Sequence, residues 1–159
     1  MYIHFEGVGM MRVNYIEDLT KWAEEFTFYS EVRVRFSETD LFGHMNNTVP
    51  FAYFEQARID LFEHYGILMP DLSKKEAERV PIVADLQCDF LRQVFFNEKL
   101  KIYVKLVHIG NSSVDIHYMA KNEAGHICFV GRGNIVQITY ATGKSAAFTE
   151  AEREAMKKI

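Results

Sequence analysis

Cysteine is scarce in this chain. Its 159 residues include two, Cys88 and Cys128, far apart in sequence. Two such residues cannot build the disulfide lattice of a small secreted scaffold, so a reduced pair is expected. Three prolines and nine glycines exclude a collagen and Pro/Gly-rich linkers. No apolar run approaches the ~20 residues of a membrane-spanning helix, and the N-terminus shows no basic segment leading into an apolar one. A cytoplasmic protein without a membrane span is therefore expected. Positive charge is short as well: 18 Lys and Arg stand against 22 Asp and Glu, a net charge of −4. No basic stripe is present, which argues against a nucleic-acid partner.

Aromatics are plentiful: 13 Phe and 8 Tyr, beside a single Trp. Such side chains favour strands and thick cores. At this length one domain can bury about 70 % of its unfolded surface, so no covalent staple is needed.

In residues 15–26, Ile16, Leu19, Ala23 and Phe26 recur at helical spacing, with Asn14 as N-cap and Glu17 three residues on. This helix is expected to lie over a sheet edge or a subunit seam. Residues 31–37 alternate as a half-buried strand does, with Val32, Val34 and Phe36 inward. A loop holding Gly43 follows, then a helix over 48–65. Its Pro50 falls in the first turn, where a missing N–H costs little, and Gly66 stands just past its end. Phe51, Phe54, Leu61, Phe62 and Tyr65 share one face of that helix.

The period then switches to two. Residues 80–90, 99–109, 113–122 and 126–141 read as strands, with turns at Gly110-Asn111 and Ala124-Gly125. Residues 149–158 form a terminal helix capped by Thr149 with Glu152 at its third position. One strand, a long apolar helix and four antiparallel strands make an α+β architecture. The helix is too apolar for a single contact face, so the sheet must wrap it. That is the hotdog fold: an antiparallel sheet around one long central helix. Residues 1–30 read as an N-terminal extension and 31–159 as the domain.

The chemistry-bearing segment is Ser37-Glu38-Thr39-Asp40-Leu41-Phe42-Gly43-His44-Met45-Asn46-Asn47, followed by Tyr53-Phe54-Glu55-Gln56-Ala57-Arg58. It sets a carboxylate just past a strand and just ahead of a helix N-terminus. The first N–H groups of a helix lack partners and carry partial positive charge. They can hold a carbonyl oxygen as it becomes an oxyanion. A nearby carboxylate can activate water or attack the carbonyl itself. Together these suit ester or thioester hydrolysis, although a carboxylate before a helix is more often a cap.

As a string, the segment resembles the acyl-CoA thioesterases of the 4-hydroxybenzoyl-CoA thioesterase type within the hotdog superfamily. Their pattern is an aspartate, a Gly-His-x-Asn-Asn turn and a Tyr-Phe-Glu-x-Ala-Arg helix. The resemblance is strongest over residues 31–66. It implies that Asp40 is the catalytic aspartate, as base or nucleophile, and that the backbone N–H of Asn47 is the oxyanion donor. It also implies that Gly43 and His44 form the turn that aims the aspartate, with Asn46 and Phe51 among the substrate contacts. The substrate implied is an acyl-CoA with water, without cofactor. The assembly implied is a homodimer or homotetramer with Asp40 near the neighbouring chain. Where the family often has an Ala-Val-Tyr run after the Asn pair, this chain has Thr48-Val49-Pro50-Phe51.

Arg58 falls among the apolar residues of the helix wheel, with Glu55 three residues before it. The two are expected to form a mostly buried structural pair. Glu55 is also the alternative catalytic carboxylate, since a related hotdog branch uses one on its helix. No His-Glu-x-x-His or Cys-x-x-Cys spacing exists, so no metal is expected. No Gly-x-Ser-x-Gly elbow exists either. Gly131-Arg132-Gly133 lies inside a strand and suits close packing. Arg92, Lys101, Lys105 and Arg132 are candidates to hold CoA phosphates. The competing readings are a hotdog dehydratase using His44 and Glu55, and a non-catalytic acyl-CoA-binding or sensing module.

Overall fold

The computed structural model describes residues 13–69 and 78–159. Five strands form one antiparallel sheet in the order β1-β3-β4-β5-β2. They are β1 (Phe28–Arg33), β2 (Arg79–Phe90), β3 (Lys99–Ile109), β4 (Ser113–Asn122) and β5 (Ile127–Thr139). The long helix is α2 (Val49–Tyr65), preceded by α1 (Leu19–Glu24) and followed at the end of the chain by α3 (Glu150–Lys157). This is the hotdog arrangement. Helix α2 packs its buried Tyr53, Phe54, Ala57, Leu61 and Phe62 into the core with the inward residues Leu100, Ile102, Val104, Ile116, Tyr118 and Phe129 of the sheet.

The helix ends follow from local chemistry. Thr48 is the N-cap of α2, and Pro50 sits where its absent N–H has no partner to lose. Gly66 closes α2 at φ +64°, a conformation that L side chains rarely adopt. Helix α3 has the capping box seen in the sequence: Glu152 N–H donates to Thr149 Oγ1 (3.1 Å) and Thr149 N–H to Glu152 Oε2 (2.6 Å).

Two expectations near the N-terminus need correction. Strand β1 begins at Phe28, three residues early, and Phe36 is 76 % exposed rather than inward. The chain leaves the sheet after Arg33 and coils into a 3-10 turn, Phe36–Glu38, which breaks the alternation. Helix α1 is a turn and a half, capped by Asp18 rather than Asn14. Starting there, it turns Trp22 inward and leaves Leu19 42 % exposed.

Residues 13–26 lie against the outer face of the sheet, opposite α2. Val13, Trp22 and Phe26 bury Met119 of β4 and Val130 of β5. Strand β4 is therefore covered on both faces, and Ile116 through Ala120 are all buried. The Trp22 indole N–H donates to His117 Nδ1 (2.9 Å), so the histidine proton sits on Nε2, which faces Asp115 Oδ2 at 3.7 Å. Lys105 donates to Trp22 O (3.1 Å), pairs with Glu25, and holds its ammonium 4.5 Å from the Phe26 ring.

A pH dependence of stability follows. Burial pushes His117 down to about 4; Asp115 and Glu25 pull the other way, while Lys105 and Arg132 add to the shift. Tyr15 contributes an uncharged ring 4.7 Å away. With the folded value depressed, the unfolded chain binds more protons between the two values. This contribution is complete above pH ~6.5 and lost as pH falls toward 4, a total of about 3 kcal/mol. Urea unfolding followed by fluorescence of Trp22, the single tryptophan, should show that loss. His117→Gln keeps an acceptor for the indole and does not titrate, so its profile should be flatter across the window.

Candidate active site

The segment between β1 and α2 is tightly tied to itself. Thr39 bridges to Met45, and Asp40 N–H donates to His44 O (2.8 Å). Asp40 Oδ1 accepts from Phe42 N–H (2.8 Å) and His44 N–H (3.2 Å), while Gly43 N–H donates to Asp40 O (3.1 Å). The turn needs Gly43 at φ +76°. Asp40 thus spends one carboxylate oxygen on its own loop. Among the described residues Oδ2 has no partner, and the residue is exposed.

Glu38 anchors this loop to the rest of the fold. Its carboxylate accepts from Arg35 N–H (2.8 Å) and from the Tyr53 hydroxyl of α2 (2.6 Å), and its carbonyl accepts from Asn46 N–H (2.7 Å). Burial and the Glu38 carboxylate hold the Tyr53 hydroxyl protonated well above its ordinary range. On the far side of the loop, Met45 N–H donates to Val94 O (2.7 Å) and His44 bridges to Phe95.

The helix start is organised by Asn46, whose Oδ1 accepts from Thr48 N–H and Thr48 Oγ1, each at 3.2 Å. Val49 N–H goes to Asn46 O (3.0 Å) and Phe51 N–H to Thr48 O (3.3 Å). Asn47 stands one residue ahead of the N-cap, and among the described residues its N–H is given to no acceptor. Asp40, Gly43, His44, Asn46 and Asn47 are therefore gathered in one short stretch of chain. Phe51 lies a turn into α2, half-buried and edge-on to Phe54 at 6.4 Å.

Aromatic side chains surround the loop. Leu41 and Phe42 are exposed, as are Phe95 and Phe96 of the β2–β3 connection. Phe36 meets Phe96 edge-on at 5.7 Å, and Phe95 meets the His44 ring at 5.1 Å. Sequence reasoning missed Glu38, Tyr53, Phe95 and Phe96. Their signals were a second carboxylate two residues before Asp40, the tyrosine that opens the Tyr-Phe-Glu-x-Ala-Arg stretch, and a Phe-Phe pair in a turn.

The expected Glu55–Arg58 pair is not formed. Glu55 points to solvent, while Arg58 is 5 % exposed and donates from Nη1 to the Tyr118 hydroxyl (3.0 Å). Arg58 turns toward the sheet, so a phenol on β4 takes the place given to the helix carboxylate. Glu55→Gln should then change stability by less than about 0.5 kcal/mol. Tyr118→Phe removes the acceptor of a buried charge and should cost about 2 kcal/mol. Chemical unfolding of the two variants checks the order.

Two of the basic candidates are committed elsewhere. Lys105 is held by Trp22 O and Glu25, and Arg132 donates to Asp115 (2.6 Å) and lies 3.5 Å from Asp85. Arg92 and Lys101 remain exposed. Burial pushes the Cys88 thiol up to about 12 and Cys128 to about 11, which keeps both poor nucleophiles. Among the described residues, no three His, Cys, Asp or Glu side chains could hold a metal ion, and no helix is long and apolar enough to cross a membrane.

Residues 34–156 match the family model of the thioesterase-like superfamily. The chain belongs to that superfamily. A curated relative of this thioesterase-like chain is the Bacillus subtilis (strain 168) protein YsmA, itself named as uncharacterized. The two are 42 % identical over 136 residues, covering 86 % of this chain and 89 % of YsmA. A thioesterase from Thermus thermophilus, solved with coenzyme A and Zn, superposes with a TM-score of 0.69. It is 29 % identical, over 83 % of this chain and 98 % of that one. The DHNA-CoA thioesterase of Staphylococcus aureus superposes at 0.74 with 24 % identity, over 82 % and 89 % of the two chains. At that identity the likeness concerns the fold.

Proposed function

We propose that this thioesterase-like chain hydrolyses acyl-CoA thioesters, in the manner of the 4-hydroxybenzoyl-CoA thioesterase type, with Asp40 as its catalytic carboxylate. The observation that carries the reading is the division of labour at Asp40. Oδ1 is fixed by two backbone N–H groups, Oδ2 is left over, and the unengaged N–H of Asn47 lies seven residues on, ahead of α2. As a base, Asp40 takes a proton from water while the oxygen attacks the thioester carbonyl. The developing oxyanion is held by Asn47 N–H. The C–S bond then breaks and the thiolate regains the proton. As a nucleophile, Asp40 attacks the thioester carbon, and the C–S bond breaks with release of the CoA thiolate. Water then opens the resulting mixed anhydride to the free acid and the Asp40 carboxylate, its proton going to the thiolate. The exposed Phe36, Leu41, Phe42, Phe95 and Phe96 supply apolar surface for the acyl group or for a second copy of the chain.

The free edge of β2 supports a dimer. Twelve residues long, β2 pairs among the described residues with β5 alone and exposes Ile82 and Val83. A homodimer or homotetramer joined there is the assembly we propose, with Asp40 near the neighbouring chain as the family resemblance implies. Sedimentation of an active monomer at assay concentration would contradict this. The activity itself is tested by a screen of acyl-CoA esters with detection of free thiol. Release from at least one ester is expected. Thermal stabilisation by acyl-CoA without thiol release would instead identify a binding or sensing module.

A further inference from the structure

The outer face of the β1-β3-β4 edge forms an open groove of about 530 Å³. Residues 13–26 stop short of it, with Phe26 reaching the Tyr103 ring at 6.3 Å. Its charges are placed against ordinary sheet chemistry. Arg33 of β1 stands directly opposite Lys99 of β3, and Lys101 of β3 directly opposite Lys121 of β4. Directly opposed like charges weaken a strand pair. Two such pairs in one groove, on a chain whose net charge is −4, leave cations in want of an anion. The groove's carboxylates are fewer: Glu123 lies 3.8 Å from Lys99, and Glu31 pairs in register with Lys101. Four cations against two carboxylates leave a surplus of positive charge.

Tyr103 lines the groove, and Tyr29 lies beside it with its ring inclined at 47° to that of Tyr103. The Tyr29 and Tyr103 rings lie 5.1 Å apart. Lys101 Nζ sits 4.5 Å from the Tyr29 centroid, and Lys121 Nζ 5.6 Å from that of Tyr103. An aromatic edge gives a nucleoside apolar contact, and the flanking ammonium groups suit phosphates. One end of the groove is tied through Asn97 to the chain that leads from β1 into the candidate site. Arg33 donates to the Asn97 side chain (3.2 Å), and Asn97 N–H donates to Val34 O (2.9 Å) beside the contact between Phe36 and Phe96.

We infer that this groove binds the phosphorylated adenosine end of coenzyme A, with Lys99, Lys101, Lys121 and Arg33 as phosphate ligands and the edge of Tyr103 as an apolar contact for the nucleoside. The inference rests on the acyl-CoA reading above. A CoA thioester carries its negative charge at the end remote from the thioester, which suits a cationic groove leading away from Asp40.

The test is calorimetric titration of the full-length protein with adenosine 3′,5′-bisphosphate and with free coenzyme A. Binding of both should weaken at least tenfold in Lys101→Glu/Lys121→Glu. Lys101→Gln/Lys121→Gln is the gentler variant should the reversal impair folding. In turnover, the variant's KM should rise at least tenfold for an acyl-CoA and stay unchanged for the same acyl group on N-acetylcysteamine. Equal binding by wild type and variant, or no binding by the wild type, overturns the inference. Hydrolysis of acyl-CoA with an unmoved KM also overturns it and leaves the thioesterase reading intact. Groove-dependent CoA binding with no thiol release does the reverse.

Discussion

Asp40→Asn is expected to lower kcat for acyl-CoA hydrolysis by ~10²–10⁴, the usual loss with a general base, at an almost unchanged melting temperature. The structure explains why the two effects separate. The loop uses Asp40 through Oδ1 as an acceptor for the N–H groups of Phe42 and His44. An asparagine amide oxygen accepts the same two bonds, so the turn survives. What disappears is the anion at the second oxygen, which is the group that takes a proton or attacks carbon. A parallel fall in stability and rate would assign Asp40 to the turn alone.

Gly131→Ala is expected to be the most destabilising single-methyl change in the sheet, about 3 kcal/mol or more. An added Cβ would lie 2.4 and 2.6 Å from Cε2 and Cζ of Phe54 and 2.7 Å from the Gln87 carbonyl. Neither neighbour can yield cheaply. Phe54 is fully buried and stacked on Tyr118 at 4.4 Å, and Gln87 is backbone within the β2–β5 ladder. The melting temperature should fall by about 6–12 °C at this chain length. Gly43→Ala is the contrasting case: no atom lies within 4 Å of the added Cβ, and only φ +76° is strained. It should cost about 1–2 kcal/mol. A Gly131→Ala protein with unchanged stability would mean that α2 can shift away from the sheet.

The long-range plan was readable because it rests on periodicity. Alternation over 99–109 and 113–122 matches β3 and β4 to the residue, and the apolar wheel with Pro50 and Gly66 marks α2 within one residue. The capping box at Thr149 was equally plain, since capping is local. Elements whose neighbours are set by tertiary contact were read less well. Phe36 looks inward by alternation, but the chain has already left the sheet at Arg33. Leu19 looks like part of an apolar stripe, but Asp18 starts the helix late and points Trp22 at His117 instead. Nothing in the spacing of Glu55 and Arg58 reveals that a tyrosine sixty residues on from Arg58 takes the guanidinium. In the candidate site, the Asp40-Gly43-His44-Asn46-Asn47 stretch was legible as a string. The anchoring of that stretch through Glu38 and Tyr53 depends on how the loop folds back on α2.

The most direct test compares thiol release per folded molecule from one acyl-CoA by the wild type, Asp40→Asn and Glu55→Gln. A catalytic Asp40 requires that Glu55→Gln stay within about tenfold of wild type, or ~1.4 kcal/mol in barrier, while Asp40→Asn loses ~10²-fold or more. An active Asp40→Asn beside a stable, inactive Glu55→Gln would contradict it and move the catalytic carboxylate to the helix.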